Sequence, residues 1–178
     1  MITIFNYLIS MFKDMLIVFS IFIILRLLYY LCTRKKINLK YELFLMIFIT
    51  FIISLLKWAL TGEMKITNIN ANDINIIPFK ILVDIYKEVN INNNIDAFLI
   101  SFIGNIIVFI PIGFFIPLLF KTSNKITILI GFLISLFIEI NQLFLERKTD
   151  IDDLILNTFG VFIGLIIYKR IIESKKML

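Results

Sequence analysis

The sequence predicts an all-α, polytopic membrane protein: a helix bundle of about five transmembrane helices, with one interfacial helix in a long external loop. Composition and pattern both point there. Of 178 residues, 60% are apolar and only 17% charged. Ordinary globular domains carry roughly 45–50% and about 25%, so this chain has too little polar surface for a soluble fold. The apolar residues gather in runs of roughly 20, the length that crosses a bilayer core as a helix, and short charged stretches separate the runs.

Taken in order, the spans fall near 15–32, 43–60, 96–120, 126–145 and 151–168. The first has full spanning length and no small-residue cleavage site after it, which predicts a retained helix, not a removed signal peptide. Residues 1–60 thus hold two N-terminal transmembrane helices. The third span contains Gly104, Pro111, Gly113 and Pro117 and is expected to be kinked or tilted. Between spans two and three lies the external loop, 61–95. Within it Pro78 opens a segment whose Phe79, Leu82, Val83, Tyr86 and Val89 share one helical face, while Lys80, Asp84, Lys87 and Glu88 occupy another. That pattern predicts an amphipathic helix on the membrane surface or over the bundle mouth.

Charge sets the orientation. One side holds ten Lys and Arg in the span flanks (Arg34, Lys35, Lys36, Lys40, Lys121, Lys125, Lys169, Arg170, Lys175, Lys176) against Glu42 and Glu173; the other mixes six cations with ten acids. The positive-inside rule then puts the N-terminus outside and the C-terminus, with a tail at 169–178, in the cytoplasm. The net charge of +5 is read in the same way and not as a nucleic-acid footprint. Arg26 and Lys57 lie within reach of span ends and are expected to snorkel to the interface.

The absent residue types exclude whole chemistries. With no histidine and the single cysteine Cys32, His/Cys zinc sites, imidazole-based triads and intrachain disulfides are ruled out. No motif calls for a cofactor. Any chemistry rests on carboxylates, amides, hydroxyls, Lys or Arg.

Polar residues inside the last three spans are the informative feature, because a polar group in hydrocarbon must find a partner. Ser101 and Asn105 share a face; so do Gly131, Ser135, Glu139 and Gln142; so do Asp150, Asp153, Asn157, Gly160 and Gly164. Their spacings of three and four align each set along one side of its helix. At about 1.5 Å per residue, Glu139, Asn157 and Asn105 fall at one depth. The expected site is an acidic, amide-rich pocket open to the outside, lined by Asn105, Ser135, Glu139, Gln142, Arg147, Asp150, Asp153 and Asn157. Glu139 and Asp153 are its candidate acid–base groups, and Asp150 with Asp153 its weak candidates for a metal. Glu139 also has a plain reading as helix glue, and Gly160 with Gly164 reads as a packing motif. Asp152, about 100° from Asp153 around the helix, reads as a solvated N-terminal charge.

The ordered set Asn75-Ile-Ile-Pro78-Phe79, Gly104-Asn105, Phe109-Ile-Pro111-Ile-Gly113-Phe114, Ser135 with Glu139 and Gln142, then Arg147, Asp150, Asp153, Asn157, Gly160 and Gly164 resembles the VanZ-like family. The resemblance covers 75–168, a VanZ-like domain that includes the three C-terminal spans. It implies a multi-pass protein of the bacterial plasma membrane, in a family whose founding member confers resistance to the lipoglycopeptide teicoplanin with little effect on vancomycin. Three mechanisms remain open on the residues. The pocket can bind or exclude a lipid-linked cell-wall precursor or the acylated antibiotic. It can belong to an intramembrane enzyme using Glu139 or Asp153 on a lipid-linked envelope component. It can serve a proton-coupled lipid translocator. The partners common to all three are membrane lipids.

Overall fold

The computed structural model describes residues 2–33, 38–60, 74–90, 99–145 and 149–176. The chain is all-α, and among the described residues five helices are long and apolar enough to cross a membrane. It divides into two compact units, Met1–Ala59 and Leu60–Leu178.

The first unit is a pair of helices, α1 (Ile2–Thr33) and α2 (Leu39–Ala59). The helix of α1 begins well before the span expected at 15, since no Gly or Pro interrupts it, but only Leu16–Thr33 has membrane-spanning character. Asn38 starts α2 four residues earlier than expected: its Oδ1 accepts from the Tyr41 amide at 3.2 Å and its carbonyl from the Glu42 amide at 3.0 Å, the role asparagine favours at a helix N-cap. Arg26 does not depend on snorkelling. Its guanidinium forms a two-pronged pair with Glu42, one prong at 2.6 Å from Nε to Oε2 and the other from Nη2 to Oε1. The Tyr30 hydroxyl donates to the same carboxylate at 2.5 Å, and the Arg26 guanidinium lies over the Tyr29 ring at 4.9 Å. Glu42, expected as a loop-side acid, is thus the counter-ion that makes an arginine tolerable in an apolar helix pair. Removing one charge strands the other, and that costs more than removing both. Arg26→Ala is therefore expected to unfold at a lower temperature than the double variant Arg26→Leu/Glu42→Leu.

The second unit is built around α4 (Asn105–Phe120), α5 (Asn124–Gln142) and α6 (Ile151–Lys176). The α4·α6 seam is its most extensive contact, followed by α5·α6. A π-helical stretch, Leu99–Gly104, leads into α4; such windings recur where helices are shaped for a site. Pro111 and Pro117 lie inside α4. Lys121 closes α4 in the left-handed region (φ 53°) with its amide on the Pro117 carbonyl at 3.0 Å. Two residues on, Ser123 caps α5 through its Oγ. The buried Thr127 ties this short connector down, sharing a hydrogen bond with Thr122 at 2.8 Å and donating to the Ser123 carbonyl at 3.0 Å. The helix of α5 stops at Gln142, where 143–145 turn, three residues short of the expected 145. No Gly or Pro follows Gly164, and α6 continues through Lys176, so the described part of the expected tail is helical.

Glycines decide how closely α4 and α6 approach. A Cβ at Gly160 would lie 2.2 Å from the Ile106 carbonyl oxygen, one at Gly164 2.0 Å from that of Ile110, and one at Gly113 1.9 Å from that of Val161. The two backbones touch directly, as small-residue stripes permit between membrane helices. The packing reading of Gly160 and Gly164 is the one observed.

Two short elements complete the unit. Strand β1 (Ile74–Asn75) pairs in parallel with β2 (Thr149–Asp150), Ile74 opposite Thr149 and Asn75 opposite Asp150. Helix α3 (Lys80–Asn90) follows Pro78 where the amphipathic pattern predicted a helix. Leu82, Val83 and Tyr86 on its apolar face are exposed.

Candidate functional site

The beginnings of α4 and α6 and the end of α5 meet at the acidic end of the second unit; the opposite end carries Lys121, Lys125, Lys169 and Arg170. Three sets of contacts organise the acidic end. On α5 and β2, Glu139 Oε2 accepts from the Asp150 amide at 3.2 Å, and the Thr149 hydroxyl donates to the Glu139 carbonyl at 3.1 Å. Between α4 and α6, Asn105 Nδ2 donates to Asp153 Oδ1 at 2.5 Å. Between α5 and α6, Asn157 Nδ2 donates to Ser135 Oγ at 2.9 Å.

These pairings correct the expected depths. Asn105, Glu139 and Asn157 were expected at one level, but Asn105 pairs with Asp153, one helical turn from Asn157, and Asn157 pairs with Ser135, one turn from Glu139. The polar groups therefore form two tiers, carboxylates above and the Ser135–Asn157 pair below. The reason is axial register: the helices slide until their glycine and side-chain packing fits, and local spacing does not encode that offset.

Burial is deep. Glu139 and Asn157 are each 4% exposed and Ser135 fully enclosed, while Asp150 and Asp153 keep part of their surface open. Gln142 is buried too, at the expected position on the Glu139 face. Arg147 lies outside the described residues, so its expected place in the pocket is untested; the side chain of Ser101 is likewise not described. Of the four carboxylate oxygens of Glu139 and Asp153, two accept a hydrogen bond from the described residues. The Asn157 Oδ1 is buried and has no donor among the described residues.

Asp152 overturns its expected role. It is 2% exposed, and its carboxylate accepts from the backbone amides of Phe79 at 2.5 Å and Ile81 at 2.8 Å. It thereby caps a different helix from its own, α3, whose first amides lack intrahelical partners. The grip holds Phe79 in the left-handed region (φ 65°), unfavourable for an aromatic residue without such an anchor. Beside it, Asp150 Oδ1 accepts from Asn75 Nδ2 at 2.8 Å and from the Asp152 amide at 2.9 Å. Asn75, Asp150 and Asp152 form a clasp that fastens the 74–81 segment to the start of α6. Sequence reasoning placed Asn75 and Phe79 in a motif without assigning them a task. Their place beside Pro78, directly before a predicted helix, was the available signal.

The clasp also bears on the metal candidates. Asp150 spends one oxygen on Asn75 and on the Asp152 amide, and Asp153 faces Asn105. Among the described residues no three acids converge as a metal-binding group.

The sequence model of the VanZ/LLP1 family matches residues 39–173. The chain belongs to the VanZ/LLP1 family. The match reaches back through α2, beyond the 75–168 covered by the sequence motifs, so this family's extent includes the helix that carries Glu42. Searches of curated proteins and of solved structures return no match.

Proposed function

We propose that this VanZ/LLP1 protein sits in the bacterial plasma membrane with its acidic end outward, and that the two polar tiers receive the head group of a lipid-linked or acylated envelope ligand. Binding or excluding such an amphiphile keeps a lipoglycopeptide of the teicoplanin type from its target. The ligand's tail lies among apolar side chains of the spans and its head meets Glu139, Asp153, Asn105 and Asn157; Arg147, from the sequence motif, is assigned to other polar groups of the same ligand. No turnover is required. The orientation, N-terminus outside and C-terminus cytoplasmic, rests on the positive flanks around Lys121, Lys125, Lys169 and Arg170.

The observation that carries this reading is the buried polar column itself. Glu139 at 4% exposure, facing the interior of a unit made of apolar spans, is costly unless something uses it, and intramembrane acids mark ligand or ion pathways by default. The test is expression in a glycopeptide-sensitive host, with teicoplanin susceptibility measured for the wild type and for Glu139→Gln, Asn157→Ala and Arg147→Ala at equal membrane abundance. Wild type is expected to protect, and each variant to lose most of that protection. Three variants that protect as well as wild type would remove the site from consideration.

A further inference from the structure

Counting donors against acceptors at the carboxylate tier gives a one-sided result. Glu139 Oε2 is met by the Asp150 amide and Asp153 Oδ1 by Asn105 Nδ2. Glu139 Oε1, Asp153 Oδ2 and Asn157 Oδ1 have no donor among the described residues. Asn157 Oδ1 is the independent sign that a group is missing: it belongs to no acid, it is fully buried, and its own amide nitrogen is already committed to Ser135. Asn157 lies one turn along α6 from Asp153, and Ser135 one turn along α5 from Glu139, so this amide forms the floor beneath both carboxyls. A buried acceptor without a donor costs on the order of 1–3 kcal/mol, and native interiors rarely leave one so.

We infer that the site is built for a primary ammonium group carried by a membrane amphiphile, a conclusion that rests on the ligand-binding reading above and names the chemistry of its ligand. An ammonium offers three N–H donors and one positive charge. The site offers three open acceptors on two helices and two carboxylates without a cationic partner among the described residues. A hydroxyl supplies a single donor and no charge, so it leaves the carboxylates uncompensated. A guanidinium is planar and wider, whereas an ammonium is a compact point charge that fits between closely packed helices. Among the described residues no three acids are grouped as a metal-binding set, which leaves an oxygen-ligated metal ion short of its usual ligands there. Gln142 is buried on the same face as Glu139.

The test follows thermal unfolding of the full chain in a non-ionic detergent as single-chain amphiphiles are added. Dodecylamine is expected to raise the unfolding temperature. Dodecyltrimethylammonium, which has the charge without the donors, and dodecyl glucoside, which has donors without the charge, are expected to leave it unchanged. In Asn157→Ala and in Glu139→Gln the half-saturating dodecylamine concentration is expected to rise about tenfold or more, the loss of one charge-assisted hydrogen bond. Gln142→Ala is expected to shift it less. Lysophosphatidylethanolamine and dodecyl glucosaminide separate the two natural sources of the group: the first to saturate identifies a phospholipid head or an amino sugar, and either supports the inference. Equal effects of dodecylamine and its trimethyl analogue would overturn it, as would wild-type saturation in both Asn157→Ala and Glu139→Gln. If the ammonium preference is absent while Glu139→Gln still abolishes drug protection, the ligand class falls and the binding role stands.

Discussion

A valine at Gly164 is expected to open the seam between α4 and α6 and to remove most of the protein from the folded membrane fraction. The Cβ alone would lie 2.0 Å from the Ile110 carbonyl oxygen and 3.0 Å from the Phe114 amide nitrogen. Both are backbone atoms of a packed helix and cannot rotate away. Overpacking of an ordinary core costs about 1–3 kcal/mol because side chains yield; here the helices themselves must part, so the effect is expected at or above the top of that range. Gly160 meets the Ile106 carbonyl in the same manner and should behave alike. Gly131 supplies the contrast. Its added Cβ would meet the Val161 side chain, at 2.4 Å from Cγ2, so Gly131→Ala should be rescued by Val161→Ala, whereas no side-chain change should rescue Gly164→Val. Unfolding temperatures of the purified variants decide the matter. Equal rescue at both positions would show that the seam is not backbone against backbone.

The second large effect is local. Asp152→Ala is expected to release the start of α3, because it strips acceptors from the Phe79 and Ile81 amides at once. Losing a capping carboxylate costs up to about 2 kcal/mol, and the stranded amides roughly 1–3 kcal/mol each where water cannot reach them. Phe79 no longer has an anchor to keep its left-handed φ, so the clasp opens as a unit. Hydrogen exchange at Phe79 and Ile81 should accelerate far more than exchange within α4, and the 74–81 segment should become the first site of proteolysis. Asp152→Asn keeps one acceptor oxygen and should fall between. Uniform acceleration through α4, α5 and α6 would mean that Asp152 supports the whole unit and not the clasp.

Those two residue sets divide what could be read from the sequence. The spans were legible because length and apolarity are local properties: a run of about 20 mostly apolar residues has one stable form in a bilayer. The faces were legible for the same reason. Ser135, Glu139 and Gln142 line one side of α5, and Asp153, Asn157, Gly160 and Gly164 one side of α6, whatever those helices pack against. Helix ends were less so. Asn38 lengthened α2 through a cap formed by its own side chain, and α6 ran on because nothing stopped it.

What the sequence by itself determined, then, is that five helices can span, which side of each late helix is polar, and that carboxylates and amides without histidine must do any work there. Tertiary structure decided the partners. It set Glu42 against Arg26, joined Asn75 to Asp150 across 75 residues, turned Asp152 from a solvated end charge into the cap of α3, and lowered Asn157 to Ser135 while Asn105 rose to Asp153. Helical periodicity fixes the angle of a residue around its own axis. The rotation and axial offset of one helix against another depend on how glycine contacts and side-chain volumes fit over the whole seam, and those come into being only when the helices meet.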